Sequence, residues 1–138
     1  MSEVVLALDT NFLQAILDSA RIHHGNAIDV LVQYANAKLV ICGMVFSEAL
    51  CMPDISLSEL ELSLNDFAIE VEWYLSEQVW KEAGLARATQ LRHRNPNSSK
   101  RVIADFIIGA HANTQKYWLC TFDSKGFRMA FPSLVLHP

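Results

Sequence analysis

The sequence of 138 residues lacks any apolar run that approaches the roughly 20 residues of a membrane-spanning helix. The apolar stretch Val4–Leu8 follows an acidic residue, leads into Asp9 and is too short for the core of a signal peptide. No internal repeat or low-complexity tract is visible. We therefore expect a soluble, cytoplasmic protein with no membrane partner.

The sequence also lacks the cysteine and histidine spacings of zinc sites and disulfide frameworks. It has no CxxC pair, and each of its three cysteines lies among apolar residues, so buried thiols in a reducing compartment are expected. Surface or capping positions are expected for all five histidines. The cysteines are Cys42, Cys51 and Cys120, and the histidines are His23, His24, His93, His111 and His137.

Charged residues are few and unevenly distributed. They make up 19% of the chain, and the formal net charge of -4 by itself argues against a nucleic-acid partner. Acids dominate residues 54–82, whereas residues 83–104 contain no acid and several bases. This basic stretch is either a solvated helix face or a track for a phosphate backbone. Its basic residues are Arg87, Arg92, His93, Arg94, Lys100 and Arg101.

The hydrophobic content of 51% is enough for a core, and the length fits a single domain over residues 1–138. Short strands that are apolar on both faces alternate with helical patterns, which predicts an α/β sandwich with a mainly parallel sheet. Strands are predicted at 4–8, 38–42, 68–74, 117–122 and 134–136, with 68–74 near an edge because its polarity alternates. Helices are predicted after residue 11 and at 27–37, 45–51, 57–67, 77–93 and 100–114.

Four acids fall where parallel sheets bind their ligands, beyond the carboxyl ends of the strands. Asp9 and Asp123 each follow a strand directly, Glu48 lies early in a helix after a strand, and Asp105 lies in the first turns of a helix. Ordinary structural roles remain open for three of them: a helix N-cap at Asp9, an exposed helix position at Glu48 and the start of a turn at Asp123.

Asp105 is harder to explain structurally, because a lone carboxylate in an apolar helix is rarely buried without a partner. The helical pattern places it on the flank of the apolar stripe, one turn from Arg101. The small residues Gly109 and Ala112 are expected to leave this flank open to a substrate. The stripe is formed by Val102, Ile103, Phe106, Ile107 and Ala110.

The ordered set of four acids resembles the PIN domain family, and the size resembles its single-domain VapC-type ribonuclease toxins. The segments that carry the resemblance span essentially the whole chain. They are Leu8-Asp9-Thr10-Asn11, Ser47-Glu48-Ala49, Ala104-Asp105-Phe106-Ile107-Ile108 with Ala110 and Ala112, and Leu119-Cys120-Thr121-Phe122-Asp123. One departure is Phe122, where many such toxins carry a basic residue.

The resemblance implies a three-layer α/β/α sandwich whose five-stranded, mainly parallel sheet has the order 3-2-1-4-5. It also implies a metal-dependent endoribonuclease. Carboxylates about 4 Å apart repel by roughly 4 kcal/mol per pair at an effective dielectric constant near 20, so such a cluster needs cations or protons. Oxygen ligands without sulfur or imidazole favour Mg²⁺ or Mn²⁺, which can activate water for attack on phosphorus.

The resemblance assigns catalytic and metal-binding roles to Asp9, Glu48, Asp105 and Asp123, with Glu48 as a ligand or as the group that polarises the attacking water. Hydrogen bonds from nearby side chains could orient these acids. The orienting candidates are Thr10, Asn11 and Thr121. The candidate RNA-binding residues are Arg87, Arg92, Arg94, Lys100 and Arg101. Core or interface positions are expected for Trp73, Trp80 and Trp118.

The expected partners are an RNA substrate, a cognate antitoxin protein and a second copy of the chain in a homodimer. Two alternatives remain. One is a binding or regulatory module that keeps the same scaffold with little catalysis, although all four acids are intact. The other is an Asp-dependent phosphotransferase of the haloacid dehalogenase type, which requires a second Asp two residues after the first, where this chain has Asn11.

Overall fold

The structure is a computed structural model that describes residues 3–93 and 103–138. Strands and helices alternate along these residues. The strands are β1 (Val5–Leu8), β2 (Lys38–Cys42), β3 (Ile69–Glu72), β4 (Trp118–Cys120) and β5 (Leu136–His137). The helices are α1 (Thr10–Leu17), α2 (His24–Gln33), α3 (Gly43–Ala49), α4 (Leu57–Asp66), α5 (Glu77–Arg92), α6 (Ile103–Gln115) and α7 (Ser124–Ala130).

The five strands form one parallel sheet with the order β3-β2-β1-β4-β5. In the centre, Ala7 of β1 lies opposite Val40 of β2 and Leu119 of β4. The direction of the strand order reverses between β1 and β4, which makes the gap beyond their carboxyl ends the switch point of the sheet. The predicted α/β architecture, strand order and edge position of β3 are confirmed.

The helices pack in two groups. Right-handed crossovers that run in opposite directions along a sheet place their helices on opposite faces of it. One group joins α1 to α2 and α3, and the other joins α5, α6 and α7 to one another. Helix α3 also contacts α6, so the two groups meet at this place. The central strands are buried between them, with Leu6, Leu8, Val40, Ile41 and Leu119 almost fully excluded from solvent.

Several boundaries differ from the sequence prediction. Helix α7 was not predicted, because Ser124, Lys125 and Gly126 are typical of a turn. Strand β3 is shorter than predicted, and Ile103 is 48% exposed although it was assigned to the buried stripe. Cys51 is exposed and not buried, since it lies just beyond α3. Local sequence patterns do not determine these boundaries and exposures, which depend on how the elements pack against one another.

The three tryptophans differ in their environment. Trp73 and Trp80 are 65% and 53% exposed, so neither is a core residue as the sequence prediction allowed, whereas Trp118 is half-buried. Among the residues that the structure describes, no helix is both long enough and apolar enough to cross a membrane.

His111 is buried, which corrects the expectation that every histidine is a surface or capping residue. Its Nε2 atom lies 2.8 Å from Oε1 of Glu72, and the Tyr117 hydroxyl donates a hydrogen bond to Oε2 of the same carboxylate at 2.9 Å. Burial and the Glu72 carboxylate raise the pKa of Tyr117 to about 12, so the phenol keeps its proton. A polar network thus ties β3 to α6.

Candidate active site

Asp9 lies immediately beyond β1 and caps α1. Its Oδ1 atom accepts a hydrogen bond from the backbone N–H of Thr10 at 2.8 Å, and its own N–H donates to the Cys120 carbonyl of β4 at 2.9 Å. The N-cap role is therefore real, but it uses one carboxylate oxygen only. With 5% exposure, Asp9 is the one aspartate or glutamate that the structure describes as buried.

Thr10 connects Asp9 to Glu48 of α3. The Thr10 hydroxyl donates a hydrogen bond to Oε1 of Glu48 at 2.6 Å, although 38 positions separate the two residues. This contact follows from the packing of α3 against α1. It holds the half-buried Glu48 carboxylate beside the start of α1.

Asp105 approaches the same place from α6. It is half-buried, and α6 contacts α3, the helix that carries Glu48. Burial raises the pKa of the Asp9 carboxyl from 3.8 to about 6, the hydrogen bonds from Thr121 and Thr10 oppose this, and the charges of Asp105 and Glu48 add to it. The three carboxylates of Asp9, Glu48 and Asp105 thus lie within electrostatic reach of one another, and we call them the acidic cluster.

Thr121 and Asn11 fix the segment that follows β4. The buried Thr121 hydroxyl donates to Oδ2 of Asp9 at 2.8 Å and accepts a hydrogen bond from the backbone N–H of Asp123 at 3.0 Å. The Asn11 Oδ1 atom accepts from the backbone N–H of Phe122 at 3.2 Å. Asp123 is exposed at the start of α7 and is linked to Asp9 through Thr121.

The flank of α6 beyond Asp105 is closed, which corrects the prediction that small residues leave it open. Gly109 and Ala112 are both buried. A Cβ atom at Gly109 would lie 2.4 Å and 2.7 Å from two ring carbons of Phe131 and 3.1 Å from Phe127. The unpredicted helix α7 brings these rings onto α6, so glycine serves close packing here.

The basic stretch is only partly described. Arg87 of α5 donates to Oε1 of Gln90 at 2.7 Å, and its guanidinium lies 5.9 Å from the ring centroid of Phe106, the neighbour of Asp105. Arg92 and His93 are exposed at the end of α5. The other three candidates, Arg94, Lys100 and Arg101, lie outside the described residues.

A column of three aromatic rings stands next to Thr121, and the sequence did not predict it. The ring of Phe122 stacks on Phe12 with centroids 5.2 Å apart and on His23 with centroids 4.4 Å apart. Phe12 is fully buried, Phe122 is half-buried and His23 is exposed. No local sequence pattern predicts this ring column, because its members come from three separate segments.

The chemistry of the acids suits a divalent cation. Each carboxylate oxygen of Asp9 accepts one hydrogen bond and keeps a further lone pair, and the cluster offers only hard oxygen donors. A cation would also offset the repulsion that helps to raise the pKa of Asp9. In residues 3–93 and 103–138, however, no group of three or more His, Cys, Asp or Glu side chains is already arranged to hold a metal ion.

Comparisons with known proteins agree with this fold. Residues 6–132 match the family model described as PIN domain. VapBC2 from Rickettsia felis, solved bound to a DNA fragment from their promoter, is 19% identical with a TM-score of 0.69, and the match covers 97% of this chain and 98% of that chain. VapBC-1 from nontypeable Haemophilus influenzae is 21% identical with a TM-score of 0.69 and 97% coverage of both chains.

A third similar structure is VapC20 from Mycobacterium tuberculosis, described as a Sarcin-Ricin loop cleaving toxin. It is 16% identical with a TM-score of 0.64, and the match covers 91% of this chain and 95% of that chain. No curated protein matches the sequence. At these identities the solved structures establish the fold.

Proposed function

The chain belongs to the PIN domain family, and from this premise we propose that it is a metal-dependent endoribonuclease, the toxin of a toxin–antitoxin pair. The observation that carries the proposal is the burial of Asp9 beside Glu48 and Asp105, which raises its pKa to about 6. A buried carboxylate with two acidic neighbours destabilises a metal-free fold, and such perturbed groups concentrate at functional sites.

The position of the cluster supports a ligand site. Asp9 lies at the switch point between β1 and β4, where open α/β sheets bind their ligands. Three secondary-structure elements, α1, α3 and α6, meet there and are joined by the Thr10–Glu48 hydrogen bond and the contact of α3 with α6. A site assembled from several separate segments is held more rigidly than one built on a single loop.

We assign Asp9, Glu48, Asp105 and Asp123 as the residues that would hold Mg²⁺ or Mn²⁺. When bound, the ion would lower the pKa of a water molecule and offset charge on the phosphate. Thr121 orients Asp9 and, through the N–H of Asp123, fixes the start of α7. Thr10 orients Glu48 and Asn11 holds the Phe122 backbone, so these three polar residues would keep the carboxylates aimed at the substrate.

The partners follow from the same proposal. VapBC2 of Rickettsia felis and VapBC-1 of Haemophilus influenzae support a cognate antitoxin for this chain, and VapC20 supports an RNA substrate. The toxin would act in the cytoplasm as a homodimer. Arg87 and Arg92 on α5, together with Arg94, Lys100 and Arg101, would attract the phosphate backbone.

Digestion of single-stranded RNA by the purified protein tests the proposal. Cleavage should require Mg²⁺ or Mn²⁺, stop with EDTA, and be abolished in Asp9→Asn and Asp105→Asn variants that keep the wild-type circular dichroism spectrum. Asp29→Asn, an exposed carboxylate on α2, is the matched control and should cleave like the wild type. Undiminished cleavage by either active-site variant would overturn the mechanism.

A catalytically weak regulatory module remains the second candidate. One observation favours it: the acids of the described chain are not prearranged as a metal-binding group, and Asp123 is exposed. Such a module would bind neither Mg²⁺ nor Mn²⁺ in calorimetry and would leave RNA intact. The phosphotransferase alternative has less support, because Asn11 occupies the required position and its side chain holds Phe122; phosphorylation of Asp9 by a phosphate donor would revive it.

A further inference from the structure

The ring column of Phe12, Phe122 and His23 runs from the core to the surface beside the acidic cluster. We propose that His23, at its outer end, is a stacking platform for an unpaired nucleobase of the substrate. This inference rests on the proposed ribonuclease function and adds to it how the nucleotide next to the cleavage site is held.

The column is attached to the cluster through the segment after β4. Phe122 directly follows Thr121, whose hydroxyl holds Asp9, and the N–H of Phe122 donates to Asn11. Asn11 in turn precedes Phe12, which is the buried end of the column. The ring column and the carboxylate of Asp9 are therefore joined through two consecutive residues, Thr121 and Phe122.

The geometry of the column is that of aromatic stacking and not of incidental contact. The interplanar angles are 17° between Phe12 and Phe122 and 13° between Phe122 and His23, so all three rings are nearly parallel. Phe122 thus stacks on two rings, whereas the exposed His23 ring stacks on Phe122 alone among the described residues. A fourth parallel ring would continue the same arrangement.

The backbone that carries the His23 ring is also held before any ligand arrives. The His23 carbonyl accepts the backbone N–H of Ala27 at 2.9 Å, and the neighbouring His24 Nδ1 lies 2.6 Å from the Ala15 carbonyl of α1. These contacts fix the backbone that follows His23, and the stack on Phe122 orients the His23 ring. A platform that is already ordered loses little conformational entropy on binding.

The chemistry of this platform selects a single-stranded segment. A base can stack on a protein ring only when it leaves the stack of a duplex, and every base has a face that can do so. The ring column therefore predicts a preference for loops and single strands without strong base selectivity.

Fluorescence of a short single-stranded RNA that contains 2-aminopurine tests the platform directly. The protein is used in an Asp9→Asn background with Mg²⁺, so that the RNA stays intact, and titration gives both the quenching of the probe and the Kd. Quenching is expected on binding, because 2-aminopurine loses fluorescence when it stacks. His23→Ala and His23→Leu should abolish the quenching and weaken binding by roughly 5- to 150-fold.

Rescue separates stacking from a merely structural role. Leucine at position 23 keeps an apolar contact with Phe122 but has no aromatic face, whereas His23→Phe keeps the face and removes the ring nitrogens. His23→Phe should restore quenching and most of the affinity. The matched control is Ile22→Ala, the 91% exposed neighbour in the same turn, which should behave like the parent protein.

The outcomes distinguish this inference from the proposed function. If the wild type cleaves RNA but His23→Leu binds and quenches like the parent, the platform is wrong and the ribonuclease stands. If the wild type fails to cleave under any divalent ion, the ribonuclease proposal fails, whatever position 23 does. If His23→Ala does not fold, the comparison of His23→Leu with His23→Phe tests the platform instead. Equal quenching of 2-aminopurine by these two variants would overturn the stacking proposal.

Discussion

The hydroxyl of Thr121 donates a hydrogen bond to Oδ2 of Asp9 at 2.8 Å, across 112 positions of the chain. The hydroxyl oxygen of Thr121 also accepts a hydrogen bond from the backbone N–H of Asp123 at 3.0 Å. One buried threonine therefore joins the carboxylate of Asp9, at the end of β1, to the backbone of Asp123 at the start of α7. This hydrogen bond also lowers the pKa of Asp9, against the larger effect of burial.

Thr121→Val should damage the site more than the fold. Valine keeps the shape but removes the donor to Asp9 and the acceptor for Asp123, so the pKa of Asp9 should rise above its value of about 6. We expect RNA cleavage to fall by about 10- to 100-fold and the free energy of unfolding by about 1–3 kcal/mol. Cleavage rates and urea unfolding measure the two effects.

Thr89→Val is the control for that substitution, because Thr89 is exposed on α5 and donates only to the Leu85 carbonyl of its own helix. Its unfolding free energy should change by less than about 0.5 kcal/mol, with full cleavage retained. Equal activity in Thr121→Val and the wild type would show that Asp9 needs no orientation by Thr121.

Asp9→Asn should stabilise the metal-free protein while abolishing cleavage. The pKa of Asp9 in the fold, about 6, exceeds its ordinary value of 3.8, so the protonated carboxyl stabilises the fold at low pH and this contribution is lost as pH rises through about 6. The difference between these two pKa values corresponds to a change of about 3 kcal/mol at most in the free energy of unfolding. The amide removes the charge and keeps an acceptor for the Thr10 N–H.

Urea unfolding in EDTA at pH 8 and pH 5 measures this gain. At pH 8 the variant should be more stable than the wild type by about 1–3 kcal/mol, and the gain should shrink at pH 5, where wild-type Asp9 carries a proton. Asp29→Asn should change stability by less than about 0.5 kcal/mol at either pH. If Asp9→Asn is less stable than the wild type at pH 8, the ionised Asp9 carboxylate does not destabilise the fold.

Metal affinity should depend on pH through the same carboxyl group. Asp9 must lose its proton to act as a ligand, so Mg²⁺ binding should be about tenfold weaker at pH 5 than at pH 8, with the change centred near pH 6. Calorimetric titration at several pH values measures it. Glu59→Gln, an exposed position on α4, should reproduce the wild-type curve, whereas an affinity independent of pH would exclude Asp9 as a ligand.

Gly109→Ala should destabilise the contact between α6 and α7. The new Cβ atom would lie 2.4 Å from a ring carbon of Phe131, so Phe131 or the helix must shift, at a cost of about 1–3 kcal/mol. Gly84→Ala on α5 meets nothing within 4 Å and should instead stabilise the protein by about 0.5–1 kcal/mol. Chemical unfolding of both variants checks this, and opposite signs are the expected result.

The fold could be predicted from the sequence because its signals are local. Strands that are apolar on both faces indicate a buried parallel sheet, and Asp9 and Asp123 follow such strands directly. The topology of a parallel sheet then brings both to one edge. Asp105 stood out because it interrupts an otherwise apolar helix segment.

What could not be predicted depends on contacts between distant segments. His111 is buried because Glu72, 39 positions away, supplies its partner, and nothing near His111 in the sequence indicates this. Gly109 is covered by the rings of Phe127, on α7, and of Phe131, directly after α7, and the first residues of this helix are typical of a turn. The stack of His23 on Phe122 is equally non-local: the sequence predicted a surface or capping histidine, which is correct, but not its contact with Phe122.

A crystal of the protein soaked in Mn²⁺ tests most directly whether the four acids form one metal site. The anomalous difference map should show a peak at coordination distance from carboxylate oxygens of Asp9 and Asp105, with Glu48 or Asp123 nearby, and Asp9→Asn crystals should lose it. A map with no peak beside Asp9, or with Mn²⁺ bound only elsewhere on the surface, would contradict the proposed nuclease.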